Sequence, residues 1–447
     1  MDTIKYLKLV VWDEWLALKE LIVEQKLLVL LVLVGLGGII FYLKPFPPRE
    51  INIAGGSPNG AYTRMAGSAA GYLSERGVNL LVSTTSGSVE NGELLADPSI
   101  DVVAGFIQGG ALTPEQAALV YSLGSVAYEP VWIFYKKEFA GKISELTDLQ
   151  NFRVGLGPQK GGSRAMAREL FKLNGIDIDA NERFRIGPYT DQYRAFEAGE
   201  LDVIFKVAPY FDGEVQALLR AAGTELFDFK HAPAYQKALP YIYELTLPAY
   251  SVDLKDKLPA HDISLIGTTT TLAVDKNLHP DIQTLLLMAV KDIQRSSVFL
   301  FFGKRGEFPA YMDPTIEASP VALRYYDYGV PPGMRYLPFW AAGFADRMGI
   351  LLISLFTLIF PLSKLNLHLR ALRYHIKHRR LYEEMLELEK ELCDGQLTVD
   401  DKAALLQKLT VFNRHAISDH VPVGLEDGYF TLLRSIELLR AKIERME

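Results

Sequence analysis

The sequence predicts an α/β fold: a two-lobed clamshell, flanked by two transmembrane helices and followed by an α-helical C-terminal tail. Three observations carry this. Short apolar runs alternate with Gly/Ser loops and helical stretches between residues 50 and 300, and the alternation occurs twice. Two long apolar runs bracket that region, and a charged, leucine-containing segment closes the chain.

Composition narrows the class. The 447 residues carry a net charge of −7 with pI ≈ 5.7, which argues against a nucleic-acid binder, because no global basic field exists to displace counterions. The single cysteine, Cys393, excludes an intrachain disulfide and a cysteine-based zinc cluster. The eight histidines form no H-E-x-x-H pair, and no metal or cofactor is expected.

Residues 1–26 read as an amphipathic cytoplasmic helix with Tyr6, Val10, Trp15, Leu18 and Ile22 on one side. A helical extension of the following segment fits equally well. Residues 27–43, from Leu27 to Leu43, are uninterruptedly apolar between Lys26 and Lys44, at the short end of the ~17–25 residues needed to cross a bilayer. Asp13, Glu14 and Glu24 upstream, with Pro47-Pro48-Arg49 downstream, read as an uncleaved anchor rather than a signal peptide. A second span is expected over 340–362, where Asp346-Arg347 lie near one interface; a buried core helix is the alternative. Lys364, Arg370, Arg373, Lys377, Arg379 and Arg380 follow it, so the positive-inside rule puts both termini in the cytoplasm and residues 45–338 outside.

Within 45–338, Ile51 to Ala54 reads as a buried strand, Gly55 to Gly60 as a turn, and Ala61 to Arg76 as a helix. Val78 to Ser83, Asp101 to Ile107 and Ser125 to Phe134 are further strands. A second unit starts after Lys136, with a strand at Arg153–Gly157, a Gly161-Gly162-Ser163 loop and a helix closed by Asn174-Gly175. Leu201 to Phe205 is its next strand, and Gly213 to Ala222 a helix. Ile263 to Asp275, with Thr268 to Thr271, is strongly strand-like, and helices follow at Pro280–Phe302 and Pro320–Tyr326. The chain leaves one lobe, builds the second and returns, giving lobe 1 at about 50–135 and 247–330 and lobe 2 at about 136–246. Crossovers are expected near Tyr135 and Pro240–Leu247. Residues 365–447 form the tail, with helical stretches at Arg379–Leu392, after Thr398, and at Leu432–Met446.

Strand, Gly/Ser loop and helix place backbone N–H groups at the mouth of a parallel sheet, where small anions bind. Ser57 and Asn59 sit at such a loop, as ligand donors or as helix caps. Tyr62 lies in the first turn of the helix, to stack or donate from its hydroxyl, or simply to pack. Thr85, Ser86 and Ser88 surround Gly87; Gln108 lies at a strand end; Gly162 and Ser163 mirror Ser57 on the second lobe. Lys206 is the preferred counter-charge, since a buried lysine needs a partner; Arg64, Lys160 and Arg164 are weaker candidates.

Ala54-Gly55-Gly56-Ser57 with Gly60-Ala61-Tyr62, then Thr84 through Asn91, then Phe106-Ile107-Gln108 resemble the solute-binding receptors of tripartite ATP-independent periplasmic (TRAP) transporters, TAXI subgroup. Leu149 with Val154-Gly155, Gly161-Gly162-Ser163, Ala198 to Asp202 and Phe205 to Pro209 extend the likeness over about residues 50–300. The resemblance implies a periplasmic-binding-protein type II fold that captures small carboxylates or amino acids. It also implies a bacterial inner membrane setting with the binding domain periplasmic or extracellular, and a TRAP-type permease as partner. The anchors and tail depart from the usual free receptor, and favour as the alternative a transmembrane sensor that relays lobe closure to a cytoplasmic partner of the tail. An enzyme is not expected, since no Ser/His/Asp set or Walker loop occurs.

Overall fold

The structure, a computed structural model, describes residues 26–43, 46–58, 60–294, 301–304, 306–393, 399–417 and 426–445, with Trp15 and Lys19 before them. The predicted helix over 1–26 lies almost entirely outside the described residues, as does Asn59. The chain divides into an α/β unit, Pro45–Asp346, and a helical unit made of Met1–Lys44 and Arg347–Glu447.

The α/β unit holds ten strands: β1 (Glu50–Ala54), β2 (Asn79–Ser83), β3 (Ala104–Gln108), β4 (Val120–Lys136), β5 (Val154–Gly155), β6 (Phe184–Arg185), β7 (Val203–Val207), β8 (Thr224–Leu226), β9 (Tyr243–Leu247) and β10 (Ile263–Asp275). Their order is β2-β1-β3-β10-β4-β7-β5-β6, with β8 beside β4 and β9 beside β10. β1 pairs in parallel with β2 and β3, and β5 in parallel with β6 and β7, so each lobe contains one parallel α/β set. β4 and β10 are antiparallel to each other and run through both lobes. Beyond Pro130, β4 turns to β7 and β8; before Thr268, β10 is held by β9.

The cores agree with this division. Ile53, Met65, Leu73, Phe106, Leu123, Leu272 and Leu286 belong to one lobe. Trp132, Phe134, Leu149, Phe171, Phe205, Leu247 and Leu265 belong to the other. The crossings therefore fall at Glu129–Val131 and Gly267–Thr268, not at Tyr135 and Pro240–Leu247. The physical reason is that two continuous strands change neighbours there without any turn that a sequence pattern would mark. Pro130 faces Gly267 at this point. A side chain at Gly267 would meet the Glu129 carbonyl oxygen at 2.9 Å and Pro130 Cα at 3.0 Å, so glycine is what lets the strands cross this closely.

β7 begins and ends two residues later than its predicted strand, and just before it the Asp202 Oδ2 accepts from Arg153 N at 2.9 Å and Arg153 Nε at 3.0 Å. Lys206 thus sits inside β7 rather than past its end. The helix Gly162–Leu173 stops as expected, with Asn174 at its end and Gly175 at φ 74°. At the unit's margin, Phe46 stacks on Phe344 with ring centroids 5.3 Å apart, so its first and last residues lie side by side.

In the helical unit, Lys26–Leu43 is one helix, with Leu30, Leu33, Val34, Phe41 and Tyr42 exposed. Phe339–Cys393 is a single 55-residue helix running through Pro361 and Lys364. The predicted span and first tail helix are consecutive parts of it. Among the described residues, no helix is long and apolar enough to cross a membrane. Its last turns join the helices Val399–Ile417 and Glu426–Arg445 around Met385, Leu405, Leu409, Phe412, Leu432, Ile436, Leu439 and Ile443. The expected helical stretches of the tail thus pack together as a small three-helix core.

Candidate functional site

Three helices converge where the two lobes meet. Ala61–Ser74 and Ser88–Ala96 follow β1 and β2, and Gly162–Leu173 follows β5. Each starts from a glycine N-cap (Gly60, Gly87, Gly161) and none receives a side-chain capping bond. Of their first N–H groups, Glu90 N bonds to the Lys160 carbonyl and none is capped by a side chain, and the helix dipoles make the junction favourable for negative charge. Gly87, at φ 128°, brings two of these starts together: a Cβ there would lie 3.5 Å from Gly161 Cα and 3.7 Å from Gly162 N.

A chain of polar groups crosses the junction. The Tyr62 and Ser88 hydroxyls are 3.0 Å apart, and Ser88 Oγ accepts from Gln108 N at 2.9 Å. Gln108 Nε2 then donates to the Gly162 carbonyl of the other lobe at 3.1 Å. Further bridges hold the lobes: Glu90 N to the Lys160 carbonyl at 3.3 Å, Lys160 Nζ to Glu93 at 2.6 Å, and Arg64 Nη2 to the Phe211 carbonyl at 2.7 Å.

Of the residues expected to contact ligand, Tyr62, Ser88, Gln108 and Gly162 meet here. The others do other work or sit at the rim. Thr85 is buried and donates to Asn91 Oδ1 at 2.6 Å, while Asn91 Nδ2 ties the Gly55 and Phe106 carbonyls at 2.7 and 2.9 Å. This knot fixes the loops around the site. Ser163 Oγ accepts from Val207 N at 2.9 Å, so its hydroxyl fastens β7 rather than facing outward. Ser57 and Ser86 are exposed; the Ser57 carbonyl accepts from Gly60 N and the Thr63 hydroxyl, and Ser86 N donates to Glu90 at 2.6 Å.

Lys206 does not offer the free counter-charge expected of it. Its ammonium is ion-paired with Asp212 at 2.9 Å and with Glu214, and lies 4.5 Å from the Tyr189 ring centroid. Two carboxylates already answer its charge. Arg164 is likewise spent on Asp179.

The group that the sequence reading missed is Glu129. It is 1% exposed, on β4 directly opposite Thr268 of β10. Its Oε1 accepts from the Thr270 hydroxyl at 2.7 Å, whereas Oε2 has no hydrogen-bond partner. Burial pushes its carboxyl up to about 7; the Thr270 and Tyr62 hydroxyls pull the other way, and the Asp212 charge adds to the rise. Burial and the Glu129 charge in turn hold the Tyr62 phenol well above its usual range. The available signal was the one acid within the strand Val120–Lys136.

The fold is that of a two-lobed α/β protein with a polar cluster buried at the lobe junction. The chain belongs to the NMT1-like family, whose profile matches residues 53–290. No curated protein matches it. Similar solved structures include an amino acid ABC transporter substrate-binding protein from Streptococcus pneumoniae bound to L-arginine, at 14% identity over 57% of this chain and 92% of that one, TM-score 0.36. MatC from Rhodopseudomonas palustris with bound malate is another, at 15% identity over 68% and 97%, TM-score 0.36. A histidine kinase sensor domain with similarity to periplasmic binding proteins matches at 12% identity over 56% and 92%, TM-score 0.36.

Proposed function

We propose that this protein is a membrane-anchored solute-binding protein whose lobes close on a small organic anion, a carboxylate or an amino acid. The observation that carries the reading is the Gln108-to-Gly162 hydrogen bond, which ties one lobe to the other over a buried polar cluster. Lobes joined by two crossing strands and meeting over polar groups suit a ligand that shifts the open–closed balance. Tyr62, Ser88, Gln108 and the N–H groups of the helices starting at Ser88 and Gly162 are the proposed contacts, with Ser57 and Ser86 at the rim. The protein binds rather than converts its solute.

The anchors are the apolar run Leu27–Leu43 and the segment 340–362, spanning a bacterial cytoplasmic membrane with both termini inside and the α/β unit outside. The side-by-side placement of Phe46 and Phe344 supports two spans leaving the α/β unit from one place. Delivery to a TRAP-type permease follows from the motif resemblance. A sensor role is favoured by one observation: the helix that begins at Phe339, within the α/β unit, continues past Asp346 to Cys393, and its last turns belong to the three-helix core of the tail.

The test is thermal unfolding of the full chain in lipid nanodiscs against saturating panels of carboxylates and amino acids. At least one is expected to raise the midpoint; no shift from any would overturn the binding reading. Alkaline carbonate extraction tests the anchors, and release of the chain into the supernatant would refute them. Deleting residues 366–447 separates the roles, since solute uptake that survives the deletion removes the motive for a sensor.

A further inference from the structure

A carboxylate with one oxygen unsatisfied is costly in a protein interior unless something else completes it. Glu129 is such a group: 1% exposed, with Oε1 bound by Thr270 and Oε2 bound by nothing. Its cross-strand neighbour Thr268, fully buried, has an unpaired hydroxyl as well. Beside the same face of Gly109 as that hydroxyl, Asp313 Oδ2 is a third buried oxygen without a partner. Among the described residues, no lysine or arginine is hydrogen-bonded or ion-paired to Glu129. The nearby cations are committed elsewhere: Lys206 to Asp212 and Glu214, Arg64 to the Phe211 carbonyl. The junction thus has two poles. One is a set of unsatisfied oxygens, two of them carboxylate, on β4, β10 and the segment holding Asp313. The other is the pair of helix starts at Gly87 and Gly161, neither capped by a side chain and so close that a Cβ on Gly87 would touch Gly161. Tyr62 and Ser88 connect the two poles, because the Tyr62 hydroxyl reaches Ser88, the first residue of one helix, and also lies close enough to the Glu129 carboxyl to act on it.

A plain dicarboxylate would satisfy the helix starts and leave the oxygens bare, or worse, repel Glu129. An ammonium carries three donors and no acceptor, which is what a free carboxylate oxygen and a free hydroxyl can take. We propose that the solute carries a protonated amine held by Glu129 Oε2 and Thr268 Oγ1, while its acidic end faces the starts of the helices Ser88–Ala96 and Gly162–Leu173. The inference rests on the solute-binding reading and narrows it from small anions to zwitterions. Glu129 is then the residue that separates an amino acid from its des-amino acid. A carboxyl poised near neutrality suits that role, being readily ionised when an ammonium arrives beside it and readily neutral when none is there.

The experiment sets matched pairs against the full chain in nanodiscs: alanine with propanoate, aspartate with succinate, glutamate with glutarate, phenylalanine with 3-phenylpropanoate. Calorimetric titration and thermal shift are read for wild type, Glu129→Gln and Thr268→Val. Support is a response to at least one amino acid with none to its des-amino partner, weakened tenfold or more by Glu129→Gln and measurably by Thr268→Val. A response to the des-amino acids alone, or amino-acid binding unchanged in Glu129→Gln, overturns the inference and leaves solute binding standing. No response to either set overturns solute binding itself, and the inference with it. If Glu129→Gln fails to fold, wild-type selectivity together with Thr268→Val decides between these outcomes.

Discussion

Replacing Glu129 with glutamine removes a proton that the folded protein holds more tightly than the unfolded chain. The carboxyl moves from an ordinary value of 4.5 in the unfolded chain to about 7 in the fold, driven first by burial. At 1.36 kcal/mol for each tenfold change in proton affinity, that difference is worth roughly 3 kcal/mol. The sign follows from which state keeps the proton. Below about pH 4.5 both states are protonated and nothing is lost. Between there and about pH 7 the unfolded chain releases its proton while the fold keeps it, so stability falls as pH rises; above about pH 7 the loss is complete. Glutamine has the shape of the neutral acid and no such slope. The stability of wild type minus that of Glu129→Gln is therefore expected to drop by about 3 kcal/mol between pH 4.5 and pH 8. Urea unfolding of the full chain in nanodiscs, followed by tryptophan emission with Trp132 fully buried in the second lobe, measures both proteins across that range. Parallel curves, or a difference that grows with pH, would refute the argument. A saturating amine-bearing solute should flatten the wild-type slope, because its charge favours the ionised carboxylate.

Gly162→Ala places a Cβ 2.5 Å from Gln108 Oε1 and 3.1 Å from Ser88 Oγ, so the Gln108 amide must swing aside and give up its bridge to the other lobe. A loss of about 1–3 kcal/mol and faster proteolysis at the junction are expected; unchanged cleavage would count against closed lobes as the native arrangement. Lys206→Met strands Asp212 and Glu214, and unfolding should become easier by roughly 3 kcal/mol, part of Glu214 being solvated. If Lys206 instead neutralised the solute, the change would appear in affinity with stability intact. Leu432→Ala opens the tail's core at a residue 1% exposed, and should cost about 2–5 kcal/mol there while leaving solute-induced shifts of the α/β unit unaltered. Circular dichroism and the solute panel together check it.

The α/β alternation and most of the helix starts were readable in the sequence because glycine loops and apolar periodicity are local signals. Tyr62, Ser88, Gln108 and Gly162 were readable for the same reason, each sitting at the end of a strand or the start of a helix. Glu129 was not, since its meaning depends on Thr270, which lies 141 positions away and reaches it only through the β4–β10 ladder. Thr268 to Thr271 registered as strand propensity, although Thr268 and Thr270 face the acid. Lys206 misled because burial was foreseen and its partners were not, even though Asp212 and Glu214 follow it closely in the chain. The lobe crossings were hidden by continuity: nothing in a long strand announces a change of neighbours.

Pro130 opposite Gly267 has an effect on energetics as well as geometry. Proline brings no N–H to the ladder and glycine no side chain, so at the one level where both strands pass between lobes there is less to break on bending. Bending there costs little, and because β4 and β10 are paired they flex as one ribbon about a shared axis. The population of the open form is then governed by the contacts across the cleft, chiefly Gln108 with Gly162 and Glu93 with Lys160. Affinity is thus open to retuning through the Glu93–Lys160 pair alone, with neither the ligand's proposed partners nor the two cores disturbed.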